Sequence, residues 1–204
     1  MDRQVVLVPT LRLPRWVQNF TARHGETALS CDGVALRGAA ADGSVFALRA
    51  PLGTAYAGEP ELAAFVDACS PPPAWGVLLV RKGGFAVARL EGDHTVESKT
   101  GQRHVQGRTK AGGQSQQRFA RRRDNQARAA YDAAADHAAR ILGGTRLVVT
   151  GGDHDAVEAV LADRRLARVE TVGPWLPVPD PRRSVLEQAV ADALSVQVEV
   201  VNAG

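Results

Sequence analysis

The apolar positions of this chain switch between a period of two and one near 3.6, and each switch marks an element. VVLV (5–8) reads as a short strand. From Leu13 to His24 the spacing is helical, with Trp16, Val17 and Phe20 on one face and Gly25 as the stop. ALSCDGVALRG (28–38) and SVFALRAP (44–51) alternate as strands, with turn signals at Asp32-Gly33 and Asp42-Gly43. Glu61 to Ala68 fits a short helix, and Pro71-Pro72-Pro73 then forbids both helix and sheet. A domain boundary is expected there, separating a small α+β unit (1–70) from a second domain (74–204).

The second domain opens on WGVLLVRKGGFAVARLEGDHTVESKTG (75–101), three strands with turns at Gly83-Gly84 and Glu91-Gly92-Asp93. The pattern then becomes helical from Ser115 to Leu142, rich in Ala, Arg and Gln and free of Pro and Gly, and stops at Gly143-Gly144. RLVVTGG (146–152) reads as a buried strand, followed by a helix over 155–163 and a strand over 166–172. PWLPVPDP leads to a helix over 184–194 and a last strand, VQVEVV. Strand meander, long helix, then alternating strand and helix predict an α+β fold, a mixed β-sheet with helices packed on it.

Charge changes this picture in one place. The chain has 25 basic and 22 acidic residues, yet nine of the basic ones and one acid lie between Ser98 and Arg128. That segment carries Lys99, Arg103, Arg108, Lys110, Arg118, Arg121, Arg122, Arg123 and Arg128 against Asp124, and the remainder is net acidic. A merely solvated face mixes its signs; a localised cationic patch on an acidic body is the footprint of a polyanion-binding surface. At 100° per residue, Ala120, Ala127, Ala130, Tyr131, Ala134, Ala138, Ile141 and Leu142 share one face of the predicted helix. Arg118, Arg121 and Arg122 fall opposite, and Arg123 projects toward the apolar side. The helix begins beside Gly112-Gly113-Gln114, so unpaired N–H groups, the helix dipole and three arginines converge on that loop. Two glycines permit close approach of a bare backbone N–H, which can stabilise a developing oxyanion or a leaving hydroxyl. A glutamine amide can orient water without titrating.

Other candidates are weaker. Asp153, His154 and Asp155 sit between a strand and a helix, where Asp serves as an ordinary N-cap. His94 and His104 lack partners at ligand spacing, so no metal is expected. Ser115 reads as a helix cap, and no Gly-rich nucleotide loop or other cofactor motif is present. Trp16, Trp75 and Trp175 read as core. Two cysteines, Cys31 and Cys69, are too few for a disulfide framework, and no apolar run approaches the ~18–20 residues that span a bilayer. With no secretory signal pattern at the N-terminus, the expectation is a reduced, cytoplasmic, monomeric protein away from membranes and DNA.

GGQSQQRFARRR (112–123) resembles the signature GGQS-x-x-RFAR of the middle domain of eukaryotic and archaeal class I peptide-chain release factors. The agreement covers Gly112, Gly113, Gln114, Ser115, Arg118, Phe119, Ala120 and Arg121 without a gap. RLVVTGGDHDAVEAVLADRRL looks like that domain's strand-then-helix continuation, so the similarity extends over about residues 75–175. The resemblance implies a ribonuclease-H-like mixed sheet and a loop that enters the peptidyl-transferase centre of the large ribosomal subunit to promote hydrolysis of peptidyl-tRNA. It implies that the Gln114 N–H stabilises the transition state or the leaving ribose hydroxyl, that the Gln114 side chain restricts access to water, and that Gly112 and Gly113 shape the backbone. The arginines would lie against rRNA or tRNA phosphates. Residues 1–70 show no match to a stop-codon-reading domain, and no third domain for a GTPase partner follows. The pattern is that of Vms-like release factors, actinobacterial type, which clear stalled ribosomes. Some relatives cleave tRNA near its 3′ end instead, and a non-catalytic RNA-binding module also fits the charge pattern.

Overall fold

The computed structural model describes the backbone of residues 3–102 and 114–203, and the side chains of 3–102 and 128–203. The strands are β1 (Arg3–Pro9), β2 (Thr27–Cys31), β3 (Leu36–Ala40), β4 (Val45–Arg49), β5 (Trp75–Arg81), β6 (Gly84–Glu91), β7 (His94–Gln102), β8 (Leu147–Gly152), β9 (Glu170–Thr171) and β10 (Ser195–Val201). The helices are α1 (Leu13–His24), α2 (Leu62–Ala68), α3 (Gln114–Ile141), α4 (His154–Leu161) and α5 (Arg183–Ala193). The class is α+β as expected, and the strands form two five-stranded sheets.

The first sheet has the order β1-β10-β4-β3-β2 and is antiparallel throughout. Its core face carries Val8, Leu36, Phe46, Leu48, Val196 and Val198, on which α1 lays Leu13, Val17 and Phe20. Trp16, expected in the core, packs at its edge against Phe20 and Phe46. The turn between β2 and β3 is held by Asp32, whose carboxylate accepts the N–H groups of Val34 and Ala35 and the Arg37 guanidinium. Those donors, the backbone ones foremost, hold its pKa down at about 2. Burial pushes the Cys69 thiol up to about 12, which leaves it an inert apolar filler.

The expected boundary at the prolines is where the chain leaves this unit, but the expected second domain, 74–204, is corrected at its far end. One compact unit comprises Met1–Pro72 with Val190–Gly204, and the other Pro73–Ala189. The last strand has the alternation expected of it but lies in the first sheet, not the second. β10 lies between β1 and β4, with Val198 opposite Val6 on one side and Leu48 on the other. Alternating valines on β10 extend the apolar rows of both neighbours, which is what selects this position.

The second sheet has the order β7-β6-β5-β8-β9, antiparallel across β5–β6–β7 and parallel across β5–β8–β9. It is thus a mixed sheet, with α3 and α4 packed over one face through Leu78, Val80, Phe85, Val87 and Val148. Helix α3 contributes Ala134, Ala135, Ala138 and Ile141, and Leu142 follows just past its end, all buried; Ala135 is not among the expected face positions, and Tyr131 is only half-buried. The strand expected over 166–172 shrinks to Glu170–Thr171, because Arg164–Leu166 forms a 3-10 turn whose N–H at Arg165 is capped by the Asp163 carboxylate.

Candidate functional site

Strand β7 ends at Gln102 and α3 starts at Gln114, so the segment with Gly112 and Gly113 joins the edge strand of the second sheet to its longest helix. Gly112, Gly113, Arg103, Arg108 and Lys110 lie outside the described residues. Gln114 is the first residue of α3, and Arg118, Arg121 and Arg122 follow within its first turns; their side chains, and those of Ala120, Arg123 and Ala127, are also outside the description. Lys99 is exposed on β7 opposite Val87, and Arg128 is exposed on α3.

Helix α3 has 28 residues and is therefore ~42 Å long, whereas the eight residues of β6 span only ~26 Å. Its C-terminal end is the buried one, at Ala138, Ile141 and Leu142. The excess length therefore lies at the N-terminal end, and Gln114 stands about 30 Å along the axis from Ala134. The first four N–H groups of a helix have no partner within it, and Gln114 is the first residue of this helix.

The buried end of α3 is tightly packed. Phe85 pairs with Gly101 and Gly84 with Gln102. A Cβ on Gly101 would lie 2.3 Å from the Phe85 ring, so glycine is required for that ring to lie across β7. The other face of the cluster is His137 of α3, stacked on Phe85 with ring centroids 5.4 Å apart. A mainly apolar cavity of about 190 Å³, lined by Val80, Phe85, Gly101 and Tyr131, sits beside it. Burial first, then Asp153 and Asp155, raise the pKa of the Tyr131 phenol, which stays protonated.

Asp153 occupies the N-cap position of α4 as expected, but its side chain makes no capping bond. It accepts the Lys82 N–H at 3.3 Å and faces Arg81 at 3.5 Å. Arg81 also approaches Asp180 and donates to the Val178 carbonyl at 2.9 Å. His154 stacks on Trp175 at 3.6 Å. Among the described residues no three His, Cys, Asp or Glu side chains are grouped for a metal.

The fold also assembles a serine, a histidine and an aspartate that spacing did not reveal. His24 Nδ1 lies 2.8 Å from the Asp42 carboxylate and 3.0 Å from Ser44 Oγ. A nucleophilic triad needs its serine and carboxylate on opposite ring nitrogens. Here both contact the same one, and Ser44 is fully buried and accepts the Ala203 N–H. The trio ties the C-terminal segment to the first sheet.

Among known families, the model described as "Actinobacteria/chloroflexi VLRF1 release factor" matches residues 73–199. The chain belongs to this release-factor family. The matched span contains the whole second sheet, α3 and Gly112-Gly113-Gln114, and leaves the β1–β4 segment outside. No curated protein matches the chain significantly. Among solved structures, one titled "Vms1 mitochondrial localization core" is similar with a TM-score of 0.45 and 11% identity, covering 92% of this chain and 80% of that one. A crystal structure of the archaeal translation termination factor aRF1 is similar with a TM-score of 0.44 and 12% identity. The similarity covers 94% of this chain and 64% of the archaeal factor. Among the described residues, no helix is long and apolar enough to cross a membrane.

Proposed function

We propose that this release-factor family member is a stop-codon-independent peptidyl-tRNA hydrolase that frees nascent peptides from stalled ribosomes. The observation that carries the reading is the family match, which spans Gly112-Gly113-Gln114 at the start of α3. The partners are the large ribosomal subunit and peptidyl-tRNA, met in the cytoplasm. Water attacks the carbonyl carbon of the peptide ester. The bond to the ribose 3′ oxygen breaks, and that oxygen leaves with a proton as the tRNA hydroxyl. The Gln114 N–H bears on the charge that develops at the oxyanion or the departing oxygen. The Gln114 amide orders the water, and the ribosome supplies the rest of the positioning. No cofactor takes part.

The test is peptide release from ribosome–peptidyl-tRNA complexes that carry no stop codon in the decoding site. The wild type is expected to release the peptide and leave the tRNA with an intact 3′ end. Gly113→Ala, which restricts the backbone beside the donor, is expected to slow release at least tenfold. Absence of release by the wild type would sink the enzymatic reading in favour of a binding module, and equal release by both proteins would remove Gly113 from the chemistry. Loss of the 3′-terminal nucleotides would convert it to RNA cleavage.

The arginines act in delivery. Arg121→Ala with Arg122→Ala is expected to weaken ribosome binding severalfold and to flatten its dependence on salt. Sedimentation with ribosomes across a salt series measures this, and undiminished binding at moderate salt would remove that role.

A further inference from the structure

The packed part of α3 is unusually smooth. Between Tyr131 and Ile141 its buried side chains are Ala134, Ala135 and Ala138, with the half-buried His137 stacked on Phe85. Methyl side chains make shallow ridges, and shallow ridges fix the distance between a helix and a sheet better than the angle. Yet α3 works at the end of a lever. Gln114 lies about 36 Å from Ala138 along the axis, so a 5° tilt there carries it about 3 Å. Misplacement of a reacting group by ~1 Å can cost 10²-fold in rate.

Two ion pairs also tie α3 to neighbouring elements, one to β7 and one to the turn at 164–166. On one side Arg140 Nη1 donates to Glu97 Oε1 of β7. On the other, Asp136 Oδ1 accepts from Arg165 Nη2 at 2.6 Å, reaching α3 from the turn at 164–166. Arg165 is itself fixed first, because Asp163 takes its Nε at 2.9 Å and its Nη2 at 2.7 Å. A guanidinium already gripped by one carboxylate loses little further freedom on meeting a second. The pairs are solvent-exposed, with 57% and 38% exposure for Arg140 and Glu97 and 53% and 68% for Arg165 and Asp136. Such pairs contribute little to stability, and their value lies in direction.

We infer that Arg140–Glu97 and Asp136–Arg165 are paired guys that set the direction of α3, which makes these four side chains positioning residues for the release reaction. The inference rests on the proposed hydrolytic role of Gln114. Its partners are side chains of this chain alone, and none of the four needs to touch the ribosome.

The test is the double variant Glu97→Gln with Asp136→Asn, which removes both pairs at nearly constant shape. Single-turnover release at saturating protein is expected to slow at least tenfold. The protein concentration giving half-maximal rate should stay within about twofold and the melting temperature within about 3 °C. Exchanging the first pair, Arg140→Glu with Glu97→Arg, leaves both pairs able to form and is expected to keep wild-type release within about threefold. A structural role alone would move the melting temperature and would not split rate from affinity. Unchanged release in the double variant, or a fall matched by lost affinity or stability, overturns the inference. A measurement without ribosomes separates this from failure of the hydrolytic reading. Spin labels at Arg128→Cys and Thr95→Cys, in a background lacking Cys31 and Cys69, report the angle of α3 over β7. A broader distance distribution in the double variant supports the guys even if the wild type releases no peptide. An unchanged distribution refutes them.

Discussion

Gln114→Pro is expected to lower the rate of peptide release by about 10²–10³-fold, the usual loss when one oxyanion donor is removed, with ribosome binding retained. The substitution is selective for a structural reason. Gln114 is the first residue of α3, a position at which proline fits and where the N–H is not used by the helix. Proline therefore deletes the donor and leaves the helix standing. Proline also removes the side-chain amide, so Gln114→Ala, which removes the amide and keeps the donor, is the control and is expected to lose less than Gln114→Pro. Pre-steady-state release at saturating protein, with binding measured separately, gives the ranking. A proline variant as active as the alanine variant would move the chemistry from the main chain to the side chain.

Gly151→Val is expected to destabilise the 73–189 unit by roughly 4–6 kcal/mol, out of the 5–15 kcal/mol typical of a domain. A Cβ at Gly151 would stand 2.3 Å from the Leu176 carbonyl oxygen, so the incoming chain at Leu176 must leave β8. Departure breaks the Gly152 N–H bond to the Leu176 carbonyl and the Leu176 N–H bond to the Thr150 carbonyl, both 3.0 Å. Each costs ~1 kcal/mol, and more where a group stays buried unpaired. Leu176, now 3% exposed, loses a further ~2 kcal/mol of burial. The urea midpoint and amide exchange over 147–152 measure the effect; an unshifted midpoint would show that β8 tolerates the loss of this edge contact.

Gly151 illustrates where sequence reading succeeds and where it stops. Its neighbourhood, Gly-Gly-Asp-His-Asp, was placed correctly between strand and helix, because period and breakers are local. The need for glycine there comes from Leu176, which only the fold brings near. Helix α3 was legible almost to the residue, since a long run without Gly or Pro admits little else. The strand expected over 166–172 is too long at its start, because Leu166 and Val169 suit either a tight turn or an alternating edge. The candidate loop was legible as a motif and as a charge pattern. Glu97, Asp136, Arg140 and Arg165 were not, since exposed charges carry no signal of which partner they will meet. The placement of β10 has the same origin: alternation predicts a strand, and pairing with β1 across 186 to 198 positions is decided by neighbours that alternation cannot name.

The place of β10 also sets an order of events during synthesis. The central position of the first sheet, between β1 and β4, is filled by residues 195–201. Strands β2, β3 and β4 can pair as they leave the ribosome, but β1 has no hydrogen-bonded partner in that sheet until the final strand emerges. The intervening unit completes its own sheet at β9, before that moment. The first unit to be translated is therefore the last to close, and closing so long a loop makes it the slower step. The first sheet therefore stays open, with β1 unpaired, until residues 195–201 have been made.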